Sequence, residues 1–272
     1  MFTDMRMLRR RIWGLLAAVL LAALLLDARA DFGANEPTLF PGSFPTAQTL
    51  REGEYFFAPP PWGWFAYGAA PRLTLGLDYP ALLFGYPAAW ARYRFYDSGR
   101  LSSAIELYGV LWTQTRDDDR QTDFRVRQKG YQAWAHLNNT VRISERWRIH
   151  VYAGANYADE QDYLPLGASN FTPSYYSRHF NLDSGAAVEY RLSTRVRMYV
   201  SYSSGNTFYF IDQVAMKSLA TWSFLFAPWT DSRRAILRNL RFDLNALWVR
   251  VPDADYQASL PLPLYPTVYW QW

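Results

Sequence analysis

The sequence predicts an all-β fold, a transmembrane antiparallel up-and-down β-barrel of about twelve strands, and three observations predict it. Apolar and polar residues alternate with a period of two from about residue 53 onward. The apolar faces are small in the middle and aromatic at the ends, while the polar faces carry Arg, Asp, Glu, His and Asn, which is the pattern of a wall with hydrocarbon outside and water inside. Short and long connections also alternate along the chain, as an up-and-down barrel requires. Composition narrows the choice further. Half of the 272 residues are apolar, 18% are aromatic and 19% are charged, and no long apolar run follows residue 30. That excludes both a disordered chain and a bundle of membrane helices. With no cysteine there is no disulfide framework, thiol catalysis or Cys-ligated metal.

Residues 1–30 read as a signal peptide. Arg6, Arg9, Arg10 and Arg11 form a basic head, Ile12 to Leu26 run fifteen residues without charge, and Ala28-Arg29-Ala30 supplies a small-residue cleavage site. Fifteen helical residues reach only about 22 Å, short of a hydrocarbon core of about 30 Å. Subtracting the leader's five Arg and two Asp from 28 basic and 24 acidic residues leaves 23 and 22, a net of +1. The basic pI therefore belongs largely to the leader, and no nucleic-acid partner is expected. Residues 31–50, rich in Pro, Gly and Thr, are expected to form a periplasmic N-terminal segment or partial plug. Residues 51–272 form the barrel.

Within the barrel, Gly53–Ala58 is the first ascending strand, and the least regular hairpin follows it because Pro59-Pro60-Pro61 interrupts pairing. After a turn at Ala69-Ala70-Pro71, Arg72–Tyr79 sets Leu73, Leu75, Leu77 and Tyr79 against Arg72, Thr74, Gly76 and Asp78. Ala88–Tyr96 and Leu101–Trp112 alternate less cleanly and turn at Asp97-Ser98-Gly99. Tyr131–Arg142 and Trp147–Tyr157 form a hairpin around Ser144-Glu145, and Phe180–Leu192 and Val196–Ser203 form another around Ser193-Thr194. Leu219–Ala227, Leu240–Trp248 and Pro266–Trp272 complete the set. Longer polar segments at about 113–129, 158–179, 204–217 and 252–265 are expected as loops. Trp147 and Tyr157 lie ten residues apart on one face, which at about 3.3 Å per residue and a tilt near 40° spans about 25 Å, so they are expected to mark the two membrane interfaces.

The chain ends Val268-Tyr269-Trp270-Gln271-Trp272. Val268, Trp270 and Trp272 alternate toward an aromatic terminus, and this resembles the C-terminal insertion signal of Gram-negative outer-membrane β-barrel proteins. The resemblance covers leader, alternating body and terminus, and it is architectural. It implies the outer membrane as location, the lipid bilayer and lipopolysaccharide as surroundings, the barrel assembly machinery as partner during insertion, and possible contacts with other envelope proteins. No cofactor is implied.

With strand directions set by the turn rhythm, the inward arginines Arg72, Arg92, Arg94, Arg148, Arg191, Arg197 and Arg241 crowd the periplasmic half, where they would favour anions. Inward acids are more scattered: Asp78, Glu106, Asp183, Glu189 and Asp243. The other reading of these charges is a network in which Arg191, Arg197 and Arg241 pair with Glu189 and Asp243 and hold a filled interior together. Asp117-Asp118-Asp119, flanked by Arg116 and Arg120, reads as a solvated run, and no metal site is expected. The function expected is a pore, or the channel component of a transport or secretion assembly, for anionic solutes. The alternative is a closed scaffold barrel that binds partner proteins. A lipid hydrolase or acyltransferase ranks below both: a base for Ser203 or Ser204 could come from His150 or His179, but the spacing places neither beside them.

Overall fold

In hydrocarbon every backbone N–H and C=O must find a partner within the protein, so a sheet that crosses it has to close on itself. The computed structural model of the chain describes residues 45–59, 63–83, 85–117, 125–163, 173–204, 218–252 and 257–272. The leader, residues 31–44, Asp118 and Asp119 lie outside the described residues. Twelve strands form one closed antiparallel barrel with each strand beside its sequence neighbours, and β12 returns to β1. They are β1 (Tyr55–Phe57), β2 (Phe65–Ala70), β3 (Leu73–Leu77), β4 (Ala88–Asp97), β5 (Leu101–Asp117), β6 (Arg125–Arg142), β7 (Trp147–Tyr163), β8 (Pro173–Arg191), β9 (Val196–Ser204), β10 (Ser218–Phe226), β11 (Leu240–Pro252) and β12 (Gln257–Gln271). Two short helices, α1 (Tyr79–Leu83) and α2 (Ala235–Arg238), lie in the β3–β4 and β10–β11 connections. No helix among the described residues is long and apolar enough to cross a membrane.

The period-two pattern places the side chains as expected. Leu75, Leu107, Leu137, Val151, Leu182, Val200 and Trp222 point outward and are exposed, whereas Thr74, Glu106, Asn138, Tyr152, Asp183, Ser201 and Thr221 are buried inside. This inverts a soluble fold, and it suits a wall bathed in acyl chains. The end that holds the tight β2–β3, β4–β5, β6–β7 and β8–β9 turns also holds the C-terminus; it is called the turn end below, and the opposite end the loop end. Gly99, with φ of +77°, takes the left-handed position in the β4–β5 turn, where any side chain would be strained.

Three expectations change. The supposed loops at 113–129, 158–179 and 252–265 are largely strand: β5 runs to Asp117, β6 begins at Arg125, β7 ends at Tyr163, β8 begins at Pro173, and β11 and β12 meet across only 253–256. A two-stranded ladder needs only backbone pairing, and polar residues on both faces are tolerated once the strands stand above the bilayer. The first strand is only three residues long. Tyr79 leaves β3 and opens α1, and Arg72 lies exposed in the β2–β3 turn instead of lining the lumen.

Trp147 is 44% exposed at the turn end of β7 and packs against Tyr190, with ring centroids 4.4 Å apart. Tyr157, ten residues up the same strand, meets Tyr131 at 5.9 Å. Depth along the outer wall should therefore set the cost of a charge. Leu137→Arg, placed on the outward face between these ring levels, should destabilise the barrel by about 2–4 kcal/mol, and Ile143→Arg in the exposed β6–β7 turn by about 0–1 kcal/mol. Urea unfolding of the two variants in phospholipid vesicles measures the difference.

Candidate functional site

The candidate site is the lumen. At the turn end it is filled. Thr140 of β6 and His150 of β7 are cross-strand neighbours, and Thr140 Oγ1 lies 2.9 Å from His150 Nδ1. The other ring nitrogen of His150 is 3.1 Å from Glu189 Oε2. Arg197 Nη1 donates to Glu189 Oε1 at 2.6 Å, and Arg148 Nη1 lies 3.7 Å from the same oxygen. One carboxylate thus gathers two guanidinium groups and an imidazole, with His150, Glu189 and Arg197 each almost fully buried. On the other wall Arg92 is wholly buried and ion-paired with Glu106, its Nε donating to Oε2 at 2.5 Å, and its guanidinium lies 5.5 Å from the Trp90 ring centroid.

A six-residue stretch inside the barrel bridges these walls. Thr46 and Ala47 have no exposed surface. Ala47 N–H donates to Thr140 Oγ1 at 3.1 Å, Leu50 N–H to Thr74 Oγ1 at 2.8 Å, and Arg92 Nη1 to the Gln48 carbonyl at 3.0 Å. Leu50 joins Phe56, Trp90, Tyr199, Leu225 and Tyr269 in an apolar cluster across the bore. Residues 45–50 are called the strap below.

Toward the loop end the bore is lined by rings. Tyr108 of β5 stacks on Trp134 of β6 at 3.7 Å and 4° between planes, Trp134 faces His136 at 6.4 Å, and His136 faces Tyr152 at 5.0 Å. His136 Nε2 lies 2.8 Å from Asp183 Oδ2 although two ladders separate them. Gly154 lies between, in register with both, and a Cβ there would sit 2.2 Å from the His136 ring. The missing side chain is what lets the pair meet. His136 Nδ1 and Asp183 Oδ1 have no hydrogen-bond partner among the described residues.

The sequence-derived residues divide as follows. Arg92, Arg148 and Arg197 are inward and held by Glu106 or Glu189. Arg94 pairs with Asp97 at 3.2 Å near the rim, and Arg191 Nε reaches the Ser193 carbonyl at 3.4 Å. Arg241 donates to the carbonyls of Arg238 and Leu240 at 2.7 and 3.0 Å, and Asp243 is buried on the inward face of β11. Asp78 accepts from Ala81 N–H and Tyr108 O–H, each at 3.1 Å, which ties the β3–β4 connection to the lumen wall. Of the network weighed from sequence, Arg197–Glu189 forms, joined by Arg148 and His150. Both nitrogens of His150 are engaged, and Ser203 Oγ turns to the Leu219 carbonyl at 3.4 Å, so the hydrolase reading gains no base from His150. His179 lies on β8 with its side chain outside the description, and Asp117 ends β5 likewise. At the C-terminus Trp272 is 7% exposed, packed with Phe57 and Tyr79, and Trp270 Nε1 donates to the Ile236 carbonyl at 3.1 Å; Val268 is half-buried on the same outward face.

Alternation placed His136 and Asp183 inward but did not pair them, since the pairing needs the register of three strands. A glycine at an inward position between two polar strands was the available signal.

No protein-family model matches the chain, and no curated protein matches it in sequence. Among solved structures it is similar to the Pseudomonas putida toluene transporter TodX, at 10% identity over 77% of this chain with a TM-score of 0.38. The chain spans less than two thirds of that transporter, 65%. It is also similar to the CymD monoaromatic hydrocarbon channel, at 8% identity over 82% of this chain and 87% of that one, with a TM-score of 0.31. Likeness this loose leaves function to be read from the barrel's own interior.

The Gly154 site gives a direct check. Gly154→Ala should separate His136 from Asp183 and strand both in the bore, at a cost of about 1–3 kcal/mol in urea unfolding. Asp183→Leu in the Gly154→Ala background should add much less than it does alone, because the pair is already broken.

Proposed function

We propose that the protein is a transport barrel of the Gram-negative outer membrane, closed at rest by the strap and the arginine–carboxylate network and opened when the strap leaves the bore. The observation that carries this is the chemistry of the plug. A barrel with no need to open is as stable, or more so, with apolar residues in its interior, because burying ion pairs costs desolvation. Here the bore is filled instead by Arg92–Glu106 and by Glu189 with Arg148, Arg197 and His150, and hydrogen bonds to Thr140 and Thr74 and from Arg92 hold the strap in place.

In this reading the arginines serve first as latches. Anion preference, the finer expectation, would emerge only in the open state, when Arg92 and the Arg148–Arg197 pair face a water-filled bore. The second reading, a closed scaffold, draws on the same dense filling, and conductance separates the two. In planar bilayers the wild-type protein should give small, infrequent steps. Arg92→Ala, which releases the Gln48 carbonyl and leaves Glu106 unpaired, should enlarge or multiply the steps severalfold and move the reversal potential toward cations. Silence in both would establish the scaffold.

A further inference from the structure

Four tight turns close the turn end, and each passes into its next strand through an arginine. Arg72, Arg100, Arg146 and Arg195 are the residues immediately before β3, β5, β7 and β9. Their backbone task is the same. The four carbonyls accept the last bond toward the neighbouring hairpin, from the N–H of Arg94, Arg142, Arg191 and Ala227 at 2.9, 2.7, 2.8 and 2.9 Å. Every residue has a carbonyl to offer, so the backbone does not call for arginine here. What repeats is the side chain, and at all four positions the residue is exposed.

The β10–β11 connection at the same end adds the exposed Arg233 and Arg234 and the half-buried Arg238. Acids meet only some of these charges. Arg51 pairs with Glu54, Arg94 with Asp97, Arg142 with Glu145 and Arg195 with Asp231. Among the described residues Arg72, Arg100, Arg146, Arg233, Arg234 and Arg238 have no acidic partner. The chain's two lysines, Lys129 and Lys217, both lie outside these turns.

Outward rings set the depth of these arginines. Trp147 directly follows Arg146, and Tyr93 stands opposite Leu73, the residue after Arg72, in the β3–β4 ladder. Tyr96 lies in the last residues of β4, just before the turn that holds Arg100, and Trp229 precedes Arg233 in the β10–β11 connection. The four rings are between 43% and 48% exposed. Indoles and phenols settle at the headgroup level of a bilayer. One residue further toward the turn is about 2.5 Å deeper along a tilted strand, which brings a long side chain to the lipid phosphates. The choice of arginine fits that neighbour, since its planar fork of donors matches two phosphate oxygens at once, whereas an ammonium group is a point charge. A soluble acidic partner would have no use for rings at lipid depth.

We propose that the arginines closing the turns form a collar that binds the phosphates of anionic phospholipids in the leaflet facing the turn end. The collar fixes how deep the barrel sits in that leaflet, with the rings in the headgroup layer and the guanidinium groups on its charged face. It requires the lipid-facing wall but not the transport reading, and it holds whether or not the bore opens.

The test uses the mature protein folded into phosphatidylcholine vesicles with a trace of spin-labelled phosphatidylglycerol or of spin-labelled phosphatidylcholine carrying the same acyl chain. Electron spin resonance gives the fraction of each label held against the protein. The wild type should hold phosphatidylglycerol at least about threefold more strongly, and the combined Arg72→Gln, Arg100→Gln and Arg146→Gln variant should bring the ratio below about 1.5. Each single substitution should give an intermediate ratio, which keeps the measurement decisive if the triple variant fails to fold. Equal retention of the two lipids by the wild type would overturn the collar and leave the arginines to an acidic protein surface. A preference that survives all the substitutions would overturn it too. Chloride and inorganic phosphate at equal ionic strength should weaken the preference alike, by screening; displacement by phosphate alone would mark a site for the free anion and remove the lipid.

Discussion

The constraint on which the rest of the structure depends is the backbone hydrogen bond in a medium that offers none. A strand crossing hydrocarbon must pair on both edges or surrender its donors. All twelve ladders pair antiparallel, and the longest, β5 to β8, carry the pairing well past the outward apolar rings. The ladder between β12 and β1 is the shortest, with only two residue pairs, and three prolines of β12 lie beyond it. The contrast in ladder length around a single barrel is what gives the wall a tall side and a low side.

The same rule acts on the interior in weaker form. A narrow bore excludes most water, so inward polar groups must satisfy one another. Glu189 does this by collecting His150, Arg197 and Arg148, and Arg92 by serving Glu106 and the strap at once. Glycine decides which partners meet: at position 154 it lets His136 reach Asp183 across an intervening strand, and at 76 it lets an inward indole lie in the wall. Inward residues therefore act less as a lining than as a set of latches whose geometry the small residues set.

Much of the fold was legible because a period of two is a local signal. The hairpins around Ser144-Glu145 and Ser193-Thr194, the strand count and the inward face of β7 to β9 all follow from neighbours one or two residues apart. What stayed hidden is what register decides. Strand ends above the bilayer carry no apolar alternation, so β5 to β8 read as loops beyond Trp112 and Tyr157. Arg72 read as inward by parity, but parity ends where the strand does, one residue later. The partners of the arginines were half legible: Arg197 with Glu189 was a candidate pair, while the roles of His150, Thr140 and Gln48 required the fold.

Proline in β12 shows how a local oddity becomes informative once pairing is known. Read alone, Pro261 and Pro263 demote the segment from strand to irregular chain, and only its last seven residues, by length and aromatic content, read as strand. Placed in the barrel, the segment pairs with β11 over most of its length, and the prolines stand where that ladder needs no N–H. A proline whose nitrogen faced β11 would have broken that ladder. The register shift between Asn245 and Leu247 is what keeps all three on the permissive side. An irregularity in the ladder and an irregularity in composition thus compensate each other, and the pairing of β11 with β12 survives both.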